Sequence, residues 1–170
     1  LEKQIDNSKQ HPAEHPQPAE AKKKVPLLQS LINLRKICNH PALVDRKYLT
    51  SLKPEEEKEL RDIETGGKFR GLRTLMEQLD YDSDVDNYDN PNKILIFSRF
   101  KDTIDMLERF IKTTYVTIKT CRIDGSIDAT ARYNVIDKFF NEYDIKIMFL
   151  TTKVGGLGLN LSCANIVIMF

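Results

Sequence analysis

The chain has 170 residues, with 26 Lys+Arg against 25 Asp+Glu, three Cys and no Trp. That length suits one medium domain with a real core and is short for a complete two-domain enzyme. The balanced charge excludes a polybasic, histone-like binder, the sparse cysteines exclude a disulfide scaffold, and no apolar run approaches the roughly 18 residues of a membrane span. LEKQIDNSKQ has no apolar core and is not a signal peptide. With no initiator Met, and with the apolar run Ile166-Val167-Ile168-Met169-Phe170 as its last residues, the chain reads as a fragment of a longer protein.

Residues 1–25 are expected to form a flexible linker. His11-Pro12, His15-Pro16, Pro18 and Lys22-Lys23-Lys24 leave no apolar periodicity, and two His-Pro pairs without a third ligand are a poor metal site. Residues 26–92 read as a helical appendage. Leu27, Leu28, Leu31, Leu34, Ile37 and Cys38 recur at three- and four-residue steps on one helical face, and Pro26 suits its first turn. Asn39-His40-Pro41 ends that helix, and His40 is expected to cap or pack rather than catalyse. A second helix covers 54–64, with Glu55, Glu56 and Glu57 at the positive end of its dipole, and Gly66-Gly67 breaks it. A third carries Phe69, Leu72, Leu75, Met76 and Leu79.

Residues 80–92 are acidic and turn-rich. They do not fit a calcium loop: registers starting at Asp80 or Asp82 place Val85 or Asn87 where Gly is needed, and Pro91 or Lys93 where Glu is needed. A surface loop is the better reading. From Lys93 the texture changes. Ile94-Leu95-Ile96-Phe97 is a continuous apolar run, the mark of a strand buried on both faces. A helix follows, with Asp102 near its start and Ile104, Leu107, Phe110 and Ile111 inward. Then come a β-rich segment from Tyr115 to Ile123, a turn at Asp124-Gly125-Ser126 and a helix from about Asp128 to Asn141. Strands at 145–150 and 165–170 complete the pattern. Strands alternating with helices predict an α/β fold, three layers around a parallel sheet, over 93–170.

Ligands of open α/β sheets sit beyond the carboxyl ends of the strands. There the sequence places Ser98 and Arg99, then Asp124, Gly125 and Ser126, then Thr151 to Asn160. Hydroxyls, cations and small residues suit phosphate oxygens. Three of the chain's seven glycines, Gly155, Gly156 and Gly158, fall in the last loop, which could cradle an anion. A β-branched residue at Gly156 is expected to destabilise it. Two phosphate motifs are excluded. Leu161 stands where the dinucleotide fingerprint needs Gly or Ala, and Phe69 and Asp62 spoil a P-loop at Gly67-Lys68.

Four blocks carry a resemblance. Leu34-Arg35-Lys36-Ile37-Cys38-Asn39-His40-Pro41, Ile94 to Phe100, Arg122 to Ser126 with Arg132, and Leu150 to Leu161 resemble, in order, blocks of the SNF-type chromatin-remodelling ATPases of helicase superfamily 2. The resemblance spans residues 26–170 and implies the second RecA-like lobe, truncated before motif VI. Arg-Ile-Asp-Gly-Ser and the last loop look most like the subfamily that strips TATA-binding protein from DNA. The resemblance implies that Ser98, Arg99, Gly125, Arg132, Thr152 and Lys153 lie near DNA phosphates, although the family often carries Gln where Arg99 stands. It implies that Gly155, Gly156 and Gly158 shape the loop closing on ATP. ATP and Mg would be bound mainly by a first RecA-like lobe with the P-loop. Duplex DNA, that lobe and TATA-binding protein are the expected partners, with no membrane and a nuclear location. No arginine follows Arg132, so the family's arginine fingers are absent from this sequence and the chain alone is expected to be inactive. The alternatives are a nucleosome-remodelling lobe, a non-catalytic module derived from one, and an RNA helicase lobe, which the Cys-Asn-His-Pro helix disfavours.

Overall fold

The computed structural model describes residues 27–79, 92–156 and 158–170. The linker reading of 1–25, Pro26, all but Asn92 of the acidic loop, and Leu157 lie outside them. The described residues 27–79 form α1 (Leu27–Asn39), a 3-10 turn (Pro41–Leu43), α2 (Arg46–Leu49), α3 (Pro54–Arg61), a second 3-10 turn (Ile63–Thr65) and α4 (Gly67–Gln78). The α/β part follows as β1 (Ile94–Ser98), α5 (Lys101–Thr114), β2 (Lys119–Ile123), α6 (Ala129–Asn141), β3 (Ile145–Thr151), α7 (Thr152–Gly155) and β4 (Ile166–Met169).

The four strands form one parallel sheet in the order β2-β3-β1-β4. The period-two side-chain alternation divides its core in two. On one face Ile94, Ile96, Ile147 and Phe149 pack with Phe69, Leu72 and Met76 of α4 and Ile104, Leu107, Phe110 and Ile111 of α5. On the other, Leu95, Ile123, Met148 and Leu150 pack with Phe139 of α6 and Val154. Lys93, directly before β1, fastens α6 to the sheet. Its ammonium donates to the carbonyls of Phe139 and Glu142 at the helix's negative end. Burial pushes its pKa down.

Three boundaries differ from the sequence reading. α5 runs to Thr114, and Tyr115 caps it by donating to the Ile111 carbonyl at 2.8 Å, so β2 starts only at Lys119. The helix expected over 54–64 ends at Arg61, where Asp62 starts the second 3-10 turn by accepting from Glu64 N–H. Gly66 and Gly67 begin α4 rather than merely breaking its predecessor.

The periodicity of α1 defines a face without saying which way it points. The apolar stripe of α1 faces outward: Leu27 is 78% exposed, Leu28 69%, Leu31 50% and Leu34 57%. Its polar side lines a cleft of about 620 Å³ with Gln29, Asn33 and Lys36, opposite Asp102 and Arg109 of α5. Polar ties hold the end of α1 to α5 and α4. Asn39 donates to Thr103 Oγ1 at 3.2 Å and accepts from Lys68 at 2.8 Å. His40 is fully buried. Its Nδ1 accepts from Ala42 N–H at 3.1 Å, and its Nε2 donates to the carbonyls of Asp62 and Ile63 at 3.1 and 3.2 Å. The ring meets Phe69 edge-on at 5.3 Å, and Phe69 in turn meets Phe110 and Phe170. His40 therefore caps and packs, as its position before Pro41 suggests.

Candidate nucleic-acid interface

Because all four strands are parallel, the segments that follow them emerge on one edge of the sheet. The chain leaves β1 toward the face covered by α5. It leaves β3 toward the opposite face, where Leu159, Leu161, Cys163 and Ala164 pack. β1 and β3 are neighbours, with Ser98 and Thr151 directly paired at their ends. Adjacent strands whose connections diverge to opposite faces open a crevice at their carboxyl ends, the usual ligand position in such sheets.

Around this crevice stand most of the residues singled out above. Ser98 is fully buried, and its hydroxyl has no hydrogen-bond partner among the described residues. Arg99 beside it is exposed, as are Thr152 and Lys153 directly after β3. Gly125 is exposed on the turn after β2, with open space where a side chain would project. Arg132 is half-buried on the first turns of α6, which Asp128 caps by accepting from Ala131 N–H at 2.8 Å. One end of its guanidinium donates to the Ile127 carbonyl at 3.1 Å, and its Nε has no partner among the described residues.

The glycine loop needs one correction. Gly158 holds the left-handed conformation, with φ of +70°. Gly156 sits in the ordinary helical region at φ −72°, and a Cβ there would meet only the carbonyls of Lys153 and Thr152 at 3.8 and 3.9 Å. The backbone constraint attributed to Gly156 therefore belongs to Gly158.

Sequence reasoning missed a cluster of charges behind the edge. Asp124 is only 5% exposed. It lies 2.9 Å from Lys101 Nζ and 2.8 Å from Arg122 Nη2, and it accepts from Ser126 N–H at 2.8 Å and from the Ser126 hydroxyl. Arg122 also reaches Asp105 at 2.5 Å and Glu108 at 3.6 Å. Burial by itself would raise the Asp124 carboxyl, but the hydrogen bonds from Ser126, Lys101 and Arg122 outweigh it and hold the group well below the usual carboxylate range. One sequence signal existed: Lys101, Asp105 and Glu108 share a stripe of α5 at four- and three-residue steps.

This cluster sorts the cations of the edge. Lys101 and Arg122 are neutralised by carboxylates. Arg99, Arg132 and Lys153 have no ion-pair partner among the described residues. Three uncompensated cations, a buried hydroxyl and exposed backbone around one crevice can bind a polyanion. No group of His, Cys, Asp and Glu among the described residues could hold a metal ion, and none of their helices is long and apolar enough to cross a membrane.

A family model described as "Helicase conserved C-terminal domain" matches residues 69–170. The TATA-binding protein-associated factor mot1 of Schizosaccharomyces pombe is 33% identical over 162 residues, covering 85% of this chain and 8% of its own length. The chain thus spans less than a tenth of that relative. Among solved structures, the Sulfolobus solfataricus SWI2/SNF2 ATPase C-terminal domain superposes with a TM-score of 0.60 at 28% identity, over 84% of this chain and 53% of its own. The SWI2/SNF2 ATPase core of the same organism, in complex with double-stranded DNA, superposes with a TM-score of 0.60 at 26% identity, over 84% of this chain and 26% of its own.

Proposed function

We propose, on the premise that this chain belongs to the helicase conserved C-terminal domain family, that it is the second RecA-like lobe of an ATP-dependent motor that tracks along duplex DNA. The observation that carries the reading is the sorted edge: Arg99, Arg132 and Lys153, without an ion-pair partner among the described residues, around a switch-point crevice, with Ser98, Thr152 and Gly125 beside them. The likeness to a SWI2/SNF2 core in complex with double-stranded DNA supports duplex DNA as the polyanion.

In this reading the residues have separate tasks. Arg99, Arg132 and Lys153 contribute charge to one strand's phosphates, and Thr152 and the Gly125 N–H contribute hydrogen bonds. Gly155, Gly156 and Gly158 form the loop that adjoins the nucleotide when a first lobe closes on it. ATP with Mg is held mainly by that first lobe, since residues 1–170 contain no P-loop pattern and no arginine beyond Arg132. When bound, the nucleotide supplies the free energy of phosphate hydrolysis. What this chain contributes is the grip on the backbone and its release. The likeness to a TATA-binding protein-associated factor supports TATA-binding protein on promoter DNA, in the nucleus, as the complex remodelled.

Two measurements test this. DNA-stimulated ATP hydrolysis should be absent from the isolated 170-residue chain and present when it is joined to a P-loop lobe; activity of the chain alone refutes the division of labour. These three cations should contribute about −2.7 to the slope of log affinity against log salt on duplex DNA, and an unchanged slope in the triple alanine variant removes DNA from the reading.

A further inference from the structure

The Asp124 cluster lies behind the interface rather than on it. Asp124 is nearly buried, and both of its oxygens are engaged. One accepts from the Ser126 N–H and hydroxyl and faces Lys101; the other faces Arg122. This folds the 124–126 turn back on itself and leaves Gly125 at its exposed tip. Lys101 begins α5, three residues after Ser98 ends β1. The Lys101–Asp124 pair therefore ties the segment after β1 to the segment after β2, across the intervening strand β3. Asp105 and Glu108, one and two turns further along α5, hold Arg122 from the other side. The same two turns of α5 carry Asp102 and Thr103, which bind Lys36 and Asn39 of α1. One stripe of α5 thus holds the 122–126 segment and the adjoining one holds α1.

We propose that Asp124, Arg122 and Lys101 are positioning residues: through α5 they lock the loops after β1 and β2 into one rigid unit and so set the spacing at which Arg99 and Gly125 meet the nucleic-acid backbone. This rests on the DNA reading above. It makes a prediction opposite in sign to simple charge counting. Removing a carboxylate from beside a polyanion site lessens repulsion and should tighten binding. If the carboxylate instead holds the loops in place, removing it should weaken binding.

The test uses the full-length polypeptide and a fluorescent duplex DNA, with affinity measured over a salt series. Asp124→Asn is expected to weaken binding about fivefold, the equivalent of one well-placed hydrogen bond, with the salt slope no shallower because no phosphate-binding cation is lost. Glu108→Gln, further from the loop, keeps the test open if Asp124→Asn does not fold; it should weaken binding in the same direction by a smaller factor. Lys153→Ala in the same series should lower the slope by about 0.9. Tighter or unchanged binding in Asp124→Asn or Glu108→Gln, beside a lowered slope in Lys153→Ala, overturns the positioning role alone. Unchanged slopes in Lys153→Ala and Arg99→Ala overturn the DNA reading, and the positioning role with it.

Discussion

Gly66→Ala is expected to loosen the packing of the end of α1 against α4. A Cβ on Gly66 would lie 2.4 Å from Cδ2 of His40, and 3.1 Å from both His40 Nε2 and Phe69 Cδ2. The backbone itself accepts alanine, since φ is −78° and ψ 113°. The penalty is therefore steric. Carbon–carbon contact becomes favourable near ~3.5 Å, so the ring must retreat by about 1 Å. It has no slack, being fully buried and held by three hydrogen bonds of 3.1 to 3.2 Å. Overpacking of this kind costs about 1–3 kcal/mol, and stranding a buried donor about as much again. Alanine's lower unfolded-state entropy returns about 0.4–1 kcal/mol. The net loss is about 2–4 kcal/mol, a fall in Tm of roughly 5–10 °C for a chain of this size. Thermal unfolding of Gly66→Ala, His40→Ala and the double variant checks it. With the ring removed, only the 3.1 Å approach to Phe69 Cδ2 remains, and most of the cost of Gly66→Ala should disappear. A cost that persists in full in the His40→Ala background would refute the steric reasoning.

Four further outcomes are expected. Gly158→Ala should destabilise by about 1–2 kcal/mol in denaturant melts because of its positive φ, whereas Gly156→Ala should be tolerated. Burial holds the His40 pKa below its ordinary 6.5 against the opposing pull of the Ile63 and Asp62 carbonyls. The unfolded chain then binds the extra proton first, so this contribution to stability is complete above pH 6.5 and lost as pH falls through the lowered folded value; that part of the slope should vanish in His40→Gln. Asp124, also lowered, adds stability that is complete above about pH 4 and is lost in stronger acid, and Asp124→Asn should remove that part of the acid limb. Cys121, whose thiol burial pushes up to about 12, should resist maleimide in the native state while exposed Cys38 is labelled, as mass spectrometry of the modified chain would show.

The parts legible in the sequence were those written in local periodicity. Ile94 to Phe97 announces a strand buried on both faces because nothing in it alternates, Ile145 to Leu150 reads as a strand whose apolar run only Lys146 interrupts, and both strands are there. The carboxyl edge of the sheet followed from element order alone, whereas the pair of strands that flank the crevice came only with the sheet order. The outward face of α1 did not follow from the sequence. Periodicity says which residues share a side of a helix, not which side meets the core, and polar ties through Lys36 and Asn39 decided the orientation. Gly66 was misread for a similar reason. As a sequence it is half of a Gly-Gly breaker, yet its partner His40 lies 26 residues earlier and only the fold brings the two together. The Asp124 cluster joins two elements separated by a whole strand in the sheet, and no spacing within β2 alone betrays it.

The central pair of strands has a mechanical consequence. β1 and β3 run side by side through five matched residues, from Ile94 with Ile147 to Ser98 with Thr151, and both end at the crevice. A tug on Arg99 or Lys153 along the strand axis is a shearing load, which the inter-strand hydrogen bonds bear together rather than one after another. The neighbours β2 and β4 brace the pair on either side. In the proposed DNA-tracking reading, a motor stroke applied there meets the stiffest direction of the sheet, so little of each step should be lost to stretching the lobe itself.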